Sequence, residues 1–167
     1  MSIAQSLLPE FDAEMATTRR LLERVPEDRA AFTPHAKSTP LGKLAVHIAQ
    51  LPWFVTVTTQ GTEYDMAPGG KPAFVTPPFE STAKLLELFD ANVSQARSSL
   101  ESVSDADAGA TWALKAGGHT LAAMPRSTMW RTMCVNHIIH HRGQLSVYLR
   151  LNDVPLPSIY GPTADES

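Results

Sequence analysis

The sequence predicts an all-α fold: a four-helix bundle with two long loops and one small β-hairpin. Three observations carry this. Four segments repeat their apolar residues at three- to four-residue steps. Two long connections break them up, one of them rich in Gly and Pro. In the other, "TWAL" and "HTLA" flank a Gly pair, which is a hairpin pattern. At 167 residues, 43% apolar and 19% charged, the chain can bury one core, so a single domain over 1–167 is expected.

The first helical segment runs from Ile3 to about Val25, with Leu7, Phe11, Met15, Leu21 and Leu22 on its stripe and "PED" ending it. The second opens at "STPLGKL". Ser38 or Thr39 is positioned to cap it, and Pro40 suits a first turn whose N–H is not needed. Leu41, Leu44, Ile48, Leu51 and Val55 form its stripe. Pro52 predicts a kink, because proline removes one backbone bond and crowds the carbonyl of Ile48. The third segment follows "TPPFEST" and runs to about Val103 through Leu85, Leu88, Phe89, Val93, Ala96 and Leu100. The fourth runs from "MPRST" to about Leu151, with Met129, Trp130, Met133, His137, His141, Leu145, Tyr148 and Leu149 on one face. Gly143 within it predicts close approach by a neighbouring helix or by the tail.

A net charge of −3 without a Lys/Arg cluster leaves no footprint for nucleic acid or an anionic membrane. The single cysteine, Cys134, rules out an intramolecular disulfide and favours a reducing compartment. The first residues lack a basic n-region. The most apolar run carries Lys43, His47, Gln50 and Pro52, and falls short of the ~20 apolar residues a bilayer helix needs. A cytoplasmic protein is expected.

The chemistry is concentrated in "NHIIHHRGQL", Asn136 to Leu145, which holds half of the six histidines. On a helix, His137 and His141 stand about 40° apart around the axis and about 6 Å apart along it. Both imidazoles can face one point. His140 lies about 60° from His137 on the other side, so it flanks this pair. Two imidazoles make a weak site, and a third ligand should come from another helix. His47 is the best placed, on the buried stripe between Leu44 and Leu51, whereas His35 and His119 fall in loops. Neutral imidazoles bind divalent ions such as zinc or nickel, and three protein ligands leave a coordination position open, as catalytic sites do. The bland reading is a set of hydrogen-bonded core histidines, and the spacing alone leaves both open. "HExxH" is absent, and no glutamate stands where that mechanism needs a base.

Cys134 lies one turn before His137, within reach as a ligand or nucleophile, although a free cysteine is more often a small core residue. Arg142 and Gln144 are candidates for substrate binding or for anchoring a loop, and Tyr148 for the pocket lining or the core. Tyr64, Phe74, Trp112 and His119 are the loop residues expected to face the cavity.

Three stretches give a resemblance: "KSTPLGKLAVHIAQLPWF", "MWRTMCVNHIIHHRGQLSVYLRLNDVPLP" with its "HxxxHRGQ" string, and the tail "PLPSIYGPTADE". Together they resemble the DinB-like superfamily of metal-binding four-helix-bundle proteins. The resemblance implies non-sequential helix connectivity, a homodimer, and nickel, zinc or a related ion held by His47, His137 and His141. It implies a small-molecule substrate and an activity among metal-dependent hydrolases or S-transferases using a low-molecular-weight thiol. The alternative is a non-catalytic dimeric bundle with a structural or vestigial metal site.

Overall fold

Helix α1 (Ile3–Leu22) starts where Ser2 accepts a hydrogen bond from the Gln5 N–H while the Gln5 side chain accepts from the Ser2 N–H. This reciprocal cap satisfies two donors that the first turn would leave orphaned. The computed structural model describes residues 2–166. Helix α2 (Leu41–Gln50) is capped differently from expectation. Neither Ser38 nor Thr39 bonds to its first turn, and Pro40 stands at the cap position. The N–H groups of Leu41 and Gly42 instead reach the carbonyls of Phe32 and Ala30, each at 2.9 Å. The preceding loop thus folds back on the helix start, and Gly42 makes room for it: a Cβ there would lie 3.0 Å from the Ala30 Cβ of that loop and 2.9 Å from the Phe79 Cβ of the segment before Thr82.

At Pro52 the α-helical hydrogen bonds are interrupted while the backbone stays helical, with φ −59°, ψ −34° at Leu51 and φ −58°, ψ −27° at Pro52. The Leu51 N–H turns to the Ile48 carbonyl at 3.2 Å, and a new helix, α3 (Trp53–Thr59), sets off. Helix α4 (Thr82–Ser102) is capped by Ser81, whose hydroxyl accepts from the Lys84 N–H. Its Asn92 amide donates to the Ala49 carbonyl of α2 at 3.0 Å, tying the two helices.

Three strands form a small sheet in the order β1 (Glu63–Asp65), β2 (Thr111–Ala116), β3 (His119–Pro125). The antiparallel β2–β3 hairpin turns at Gly117 and Gly118, whose φ values of 59° and 82° are what a two-residue hairpin turn requires of both positions. The hairpin was expected. The parallel pairing of β1 with β2, Glu63 opposite Ala113 and Asp65 opposite Lys115, was not. The Asp65 carboxylate locks it in place, accepting from the N–H groups of Ala67, Gly117 and Gly118 at 2.8, 2.9 and 2.7 Å. These bonds, with Ala67 foremost, hold the Asp65 carboxyl below its ordinary pKa. Asp65→Ala should speed amide exchange at Gly117 and Gly118 and leave the helices unchanged. Unaltered exchange at the turn would show the lock to be idle.

After the short α5 (Asp105–Gly109) and the hairpin, α6 (Arg126–Trp130) opens the last helical rod. Arg126 is nearly buried and donates to the carbonyls of Thr58, Asp107 and Gly61, fastening α6 to the end of α3. Residues Arg131–Val135 then form one wider turn, a π segment in which the Asn136 N–H reaches back to the Arg131 carbonyl, before α7 (Asn136–Arg150). This irregularity shifts the buried face. The deep positions are Cys134, Ile138, Arg142, Leu145 and Leu149, while Met133, His137, His141 and Tyr148 are only half-buried.

The fold is mostly helical with this small sheet attached. Helix α1 packs on α4 and α7, and α2 packs on α4 and α7 as well. Phe11, Leu21, Leu22, Ile48, Phe89 and Leu100 fill the main core, and a second cluster of Val57, Trp112, Leu114 and Met129 lies under the sheet. Gly143 departs from expectation. It is exposed, and nothing lies within 4 Å of where its Cβ would be. No helix among the described residues is long and apolar enough to cross a membrane.

Candidate metal centre

Helix α2 presents His47 to α7, which presents His137 and His141 one turn apart. The three rings are half-buried and mutually in contact range. Ring centres are 5.2 Å apart for His47–His137 and 4.7 Å for both His47–His141 and His137–His141. One nitrogen from each ring lies within 4.8 Å of the other two. Among the described residues no other group of three His, Cys, Asp or Glu side chains converges this way.

The surroundings orient the rings. The His141 Nδ1–H donates to Gln144 Oε1 at 2.6 Å, which leaves Nε2 as the nitrogen with a free lone pair. Outer partners of this kind fix the tautomer and direction of metal-ligating histidines. His137 has its basicity lowered by burial and by the neighbouring His141, with the Met133 carbonyl of the π segment acting the other way. Single π turns inside α-helices often sit at functional positions because they redirect side chains.

Burial, then the nearby His141 and His137, push the His47 pKa from 6.5 down to about 4. The sign follows by linkage. The unfolded chain takes up a proton on His47 below about pH 6.5, while the folded chain resists until about pH 4. Stability is therefore complete above pH 6.5 and declines as the pH falls toward 4. Urea midpoints measured across that window should fall more steeply with acid in the parent than in His47→Gln. Parallel curves would contradict the assignment.

The donor set fits a divalent first-row cation. Three imidazole nitrogens face one another, with no carboxylate among them. Nitrogens around a tetrahedral zinc ion stand roughly 3.4 Å apart, which falls within the 4.8 Å bound on this trio.

His47 borders two cavities, His141 the larger of them, and His137 neither. The larger, about 510 Å³, touches His47 and His141 and is walled by Lys37, Ser38, Thr39 and Lys43 with Gln144 and Tyr148 opposite. The smaller, about 240 Å³, shares His47 and Thr76 and is walled by Trp53, Phe54, Tyr64 and Phe74.

The other expected residues separate clearly. Gln144 and Tyr148 line the larger cavity, and Tyr64 and Phe74 line the smaller. His140 is exposed beside His141, with ring centres 4.9 Å apart, and lines neither cavity. Cys134 is fully buried in the main core, and burial pushes its thiol pKa up, so it serves neither as nucleophile nor as ligand. Arg142 is 2% exposed and faces away from the cavities, onto Glu14, Thr18 and Tyr160, so it anchors the tail rather than a substrate. Trp112 is core, and His119 is an exposed residue next to the hairpin turn. Sequence reasoning missed Lys37, Lys43 and Thr76. Lys43 had a visible cue, since it stands one turn before His47.

A family model described as the DinB superfamily matches residues 10–145, a span that includes all three histidines. Two solved structures are similar to the chain. A DinB-like protein from Bacillus cereus ATCC 10987 is 20% identical with a TM-score of 0.70, covering 93% of this chain and 97% of that one. A DinB-like protein from Bacillus subtilis is 18% identical with a TM-score of 0.67, covering 93% and 99%. At these identities the likeness is one of fold. No curated protein matches the chain.

Proposed function

Because the chain belongs to the DinB superfamily, we propose that it is a divalent-metal-binding protein acting as a metal-dependent enzyme on a small molecule, of the hydrolase or thiol S-transferase type. One observation carries this reading: three imidazole nitrogens from two helices meet within 4.8 Å, and two of their residues, His47 and His141, line a cavity large enough for a small substrate. Nickel or zinc suits the donor set. A bound ion would acidify a thiol or water and polarise a substrate oxygen. The chain's own part is to lower the basicity of His47 and His137 by burial, to fix the His141 ring through Gln144, and to shield one side of the site with the aromatic wall. Cys134 is sealed in the core, so any thiol used here comes from outside the chain.

The architecture is read with it as one four-helix-bundle domain. The packing pairs α1–α4, α4–α2, α2–α7 and α7–α1 close a ring. Its order is not chain order, since the consecutive α1 and α2 stand diagonally across it. That diagonal places α2 beside α7, which the histidine convergence needs. The homodimer implied by the resemblance belongs to the same reading and is checked by sedimentation velocity.

Titration with zinc and nickel should give one tight ion per chain. Alanine at His47, His137 or His141 should each lower affinity more than a hundredfold, and Gln144→Ala about 10- to 100-fold. Equal ion uptake in the parent and all three histidine variants would end the proposal. Turnover of an electrophile panel with and without added thiol, beside an ester and amide panel, then separates the two reaction types.

A further inference from the structure

The two cavities meet at His47, and their walls differ in kind. On one side Lys37 and Lys43 stand with Ser38 and Thr39, and no carboxylate borders the space. Neither lysine forms an ion pair among the described residues, whereas Lys84 pairs with Glu87 and Lys115 with Glu63. The chain as a whole is acidic at −3, so this local excess of positive charge runs against its average. Unpaired cations at a concave wall favour an anion, because field lines concentrate where low-dielectric walls enclose the space.

On the other side the wall is aromatic. Trp53 lies nearly parallel to Phe74, with ring centres 5.2 Å and planes 24° apart, and meets Tyr64 edge-on at 5.2 Å. Phe74 belongs to the irregular stretch between β1 and α4, and it stays substantially exposed despite its size. A large apolar side chain left open beside a cavity gains by covering an apolar group.

We propose that the site takes a two-part small molecule: an anionic group, carboxylate or phosphate, held by Lys37 and Lys43, and a flat apolar group received by Trp53, Tyr64 and Phe74, with the connecting atoms at the histidines. This rests on the reading of the three histidines as the reaction centre and narrows the substrate to anion-bearing aryl-type compounds.

The test uses the metal-free protein and a series of ω-phenylalkanoates, the matching phenylalkyl phosphates and the matching uncharged phenylalkanols. Binding is read by tryptophan fluorescence and by amide shifts. The acids or the phosphates should bind more tightly than the alcohols, and added salt should erase the difference. Lys37→Gln with Lys43→Gln should weaken the anions roughly three- to tenfold and leave the alcohols unchanged. Phe74→Ala should weaken anions and alcohols alike. Both lysines and Phe74 are at the surface, so these variants should fold. Equal binding of anions and alcohols, or an anion preference that survives loss of both lysines, overturns the proposal. Zinc and nickel titrated into the same metal-free preparation keep the two readings apart. A chain that takes up no ion yet shows the lysine-dependent preference loses the metal reading and keeps the two-part pocket, and the reverse pattern does the opposite.

Discussion

Arg142→Ala is expected to destabilise the chain by about 3–5 kcal/mol, the usual result of stripping one partner from a buried ion pair. The Arg142 guanidinium lies 2.7 Å from the Glu14 carboxylate, and the two side chains are only 2% and 13% exposed. It also donates to the Thr18 hydroxyl at 3.3 Å, to the Glu14 carbonyl at 3.2 Å and to the Tyr160 hydroxyl at 2.6 Å. Tyr160 in turn donates to Glu14, and its ring lies under the guanidinium at 5.1 Å. Alanine would leave the Glu14 charge without its counterion and would remove the bond that ties α7 to Tyr160 of the tail. Urea denaturation should show the midpoint fall. The contrast is Glu14→Leu with Arg142→Leu, which removes both charges together and should come within about 1–2 kcal/mol of the parent. If the single variant is as stable as the double, the pair is idle.

Trp130→Ala is expected to cost about 3–5 kcal/mol, since it deletes a fully buried indole and leaves a cavity that its neighbours fill only in part. The loss has a polar component as well. The Trp130 Nε1–H donates to the Thr58 hydroxyl at 2.6 Å, across the contact between α6 and α3. Trp130→Phe keeps most of the volume and should recover all but about 1–2 kcal/mol, the cost of the missing bond and the smaller ring. Thermal unfolding followed by circular dichroism ranks the three chains. An alanine variant as stable as the phenylalanine variant would mean that the cavity had collapsed.

The helices were legible wherever one face was purely apolar. Of the expected α4 stripe, Leu85, Phe89, Ala96 and Leu100 are buried and Leu88 and Val93 half-buried, and α4 ends within one residue of expectation. The α2 stripe is buried too, but its cap was not legible, because backbone carbonyls of Phe32 and Ala30 serve where a side chain was expected. Such a cap depends on a loop folding back and has no residue signature. The hairpin could be read from its Gly pair, whereas the parallel strand β1 could not. Three residues are too few to show a period, and their pairing partner lies 50 positions away. The face of α7 was misjudged for another reason. The wide turn at Arg131–Val135 carries the deep row on by one residue, through Cys134, Ile138 and Arg142, and apolar spacing alone does not mark that extra residue. The histidine trio was legible because two of its members share a helix face and the third interrupts an apolar stripe. The lysines of the cavity were not, since long cations on a loop and a first turn are ordinary until a concave wall gathers them.

The wide turn at Arg131–Val135 behaves as a stored phase offset within the last rod. The turn holds one residue more than an α-helical turn would, so a chain shortened by one residue there would spin a regular helix and keep everything after it facing as it does now. A chain of unchanged length that straightened these positions would instead rotate all that follows by about 100°, taking Ile138, Leu145 and Leu149 out of the interior and swinging the imidazoles of His137 and His141 away from His47. Length in those five positions can thus shrink by one residue, whereas regularising the turn at constant length dismantles the packing and the trio at once.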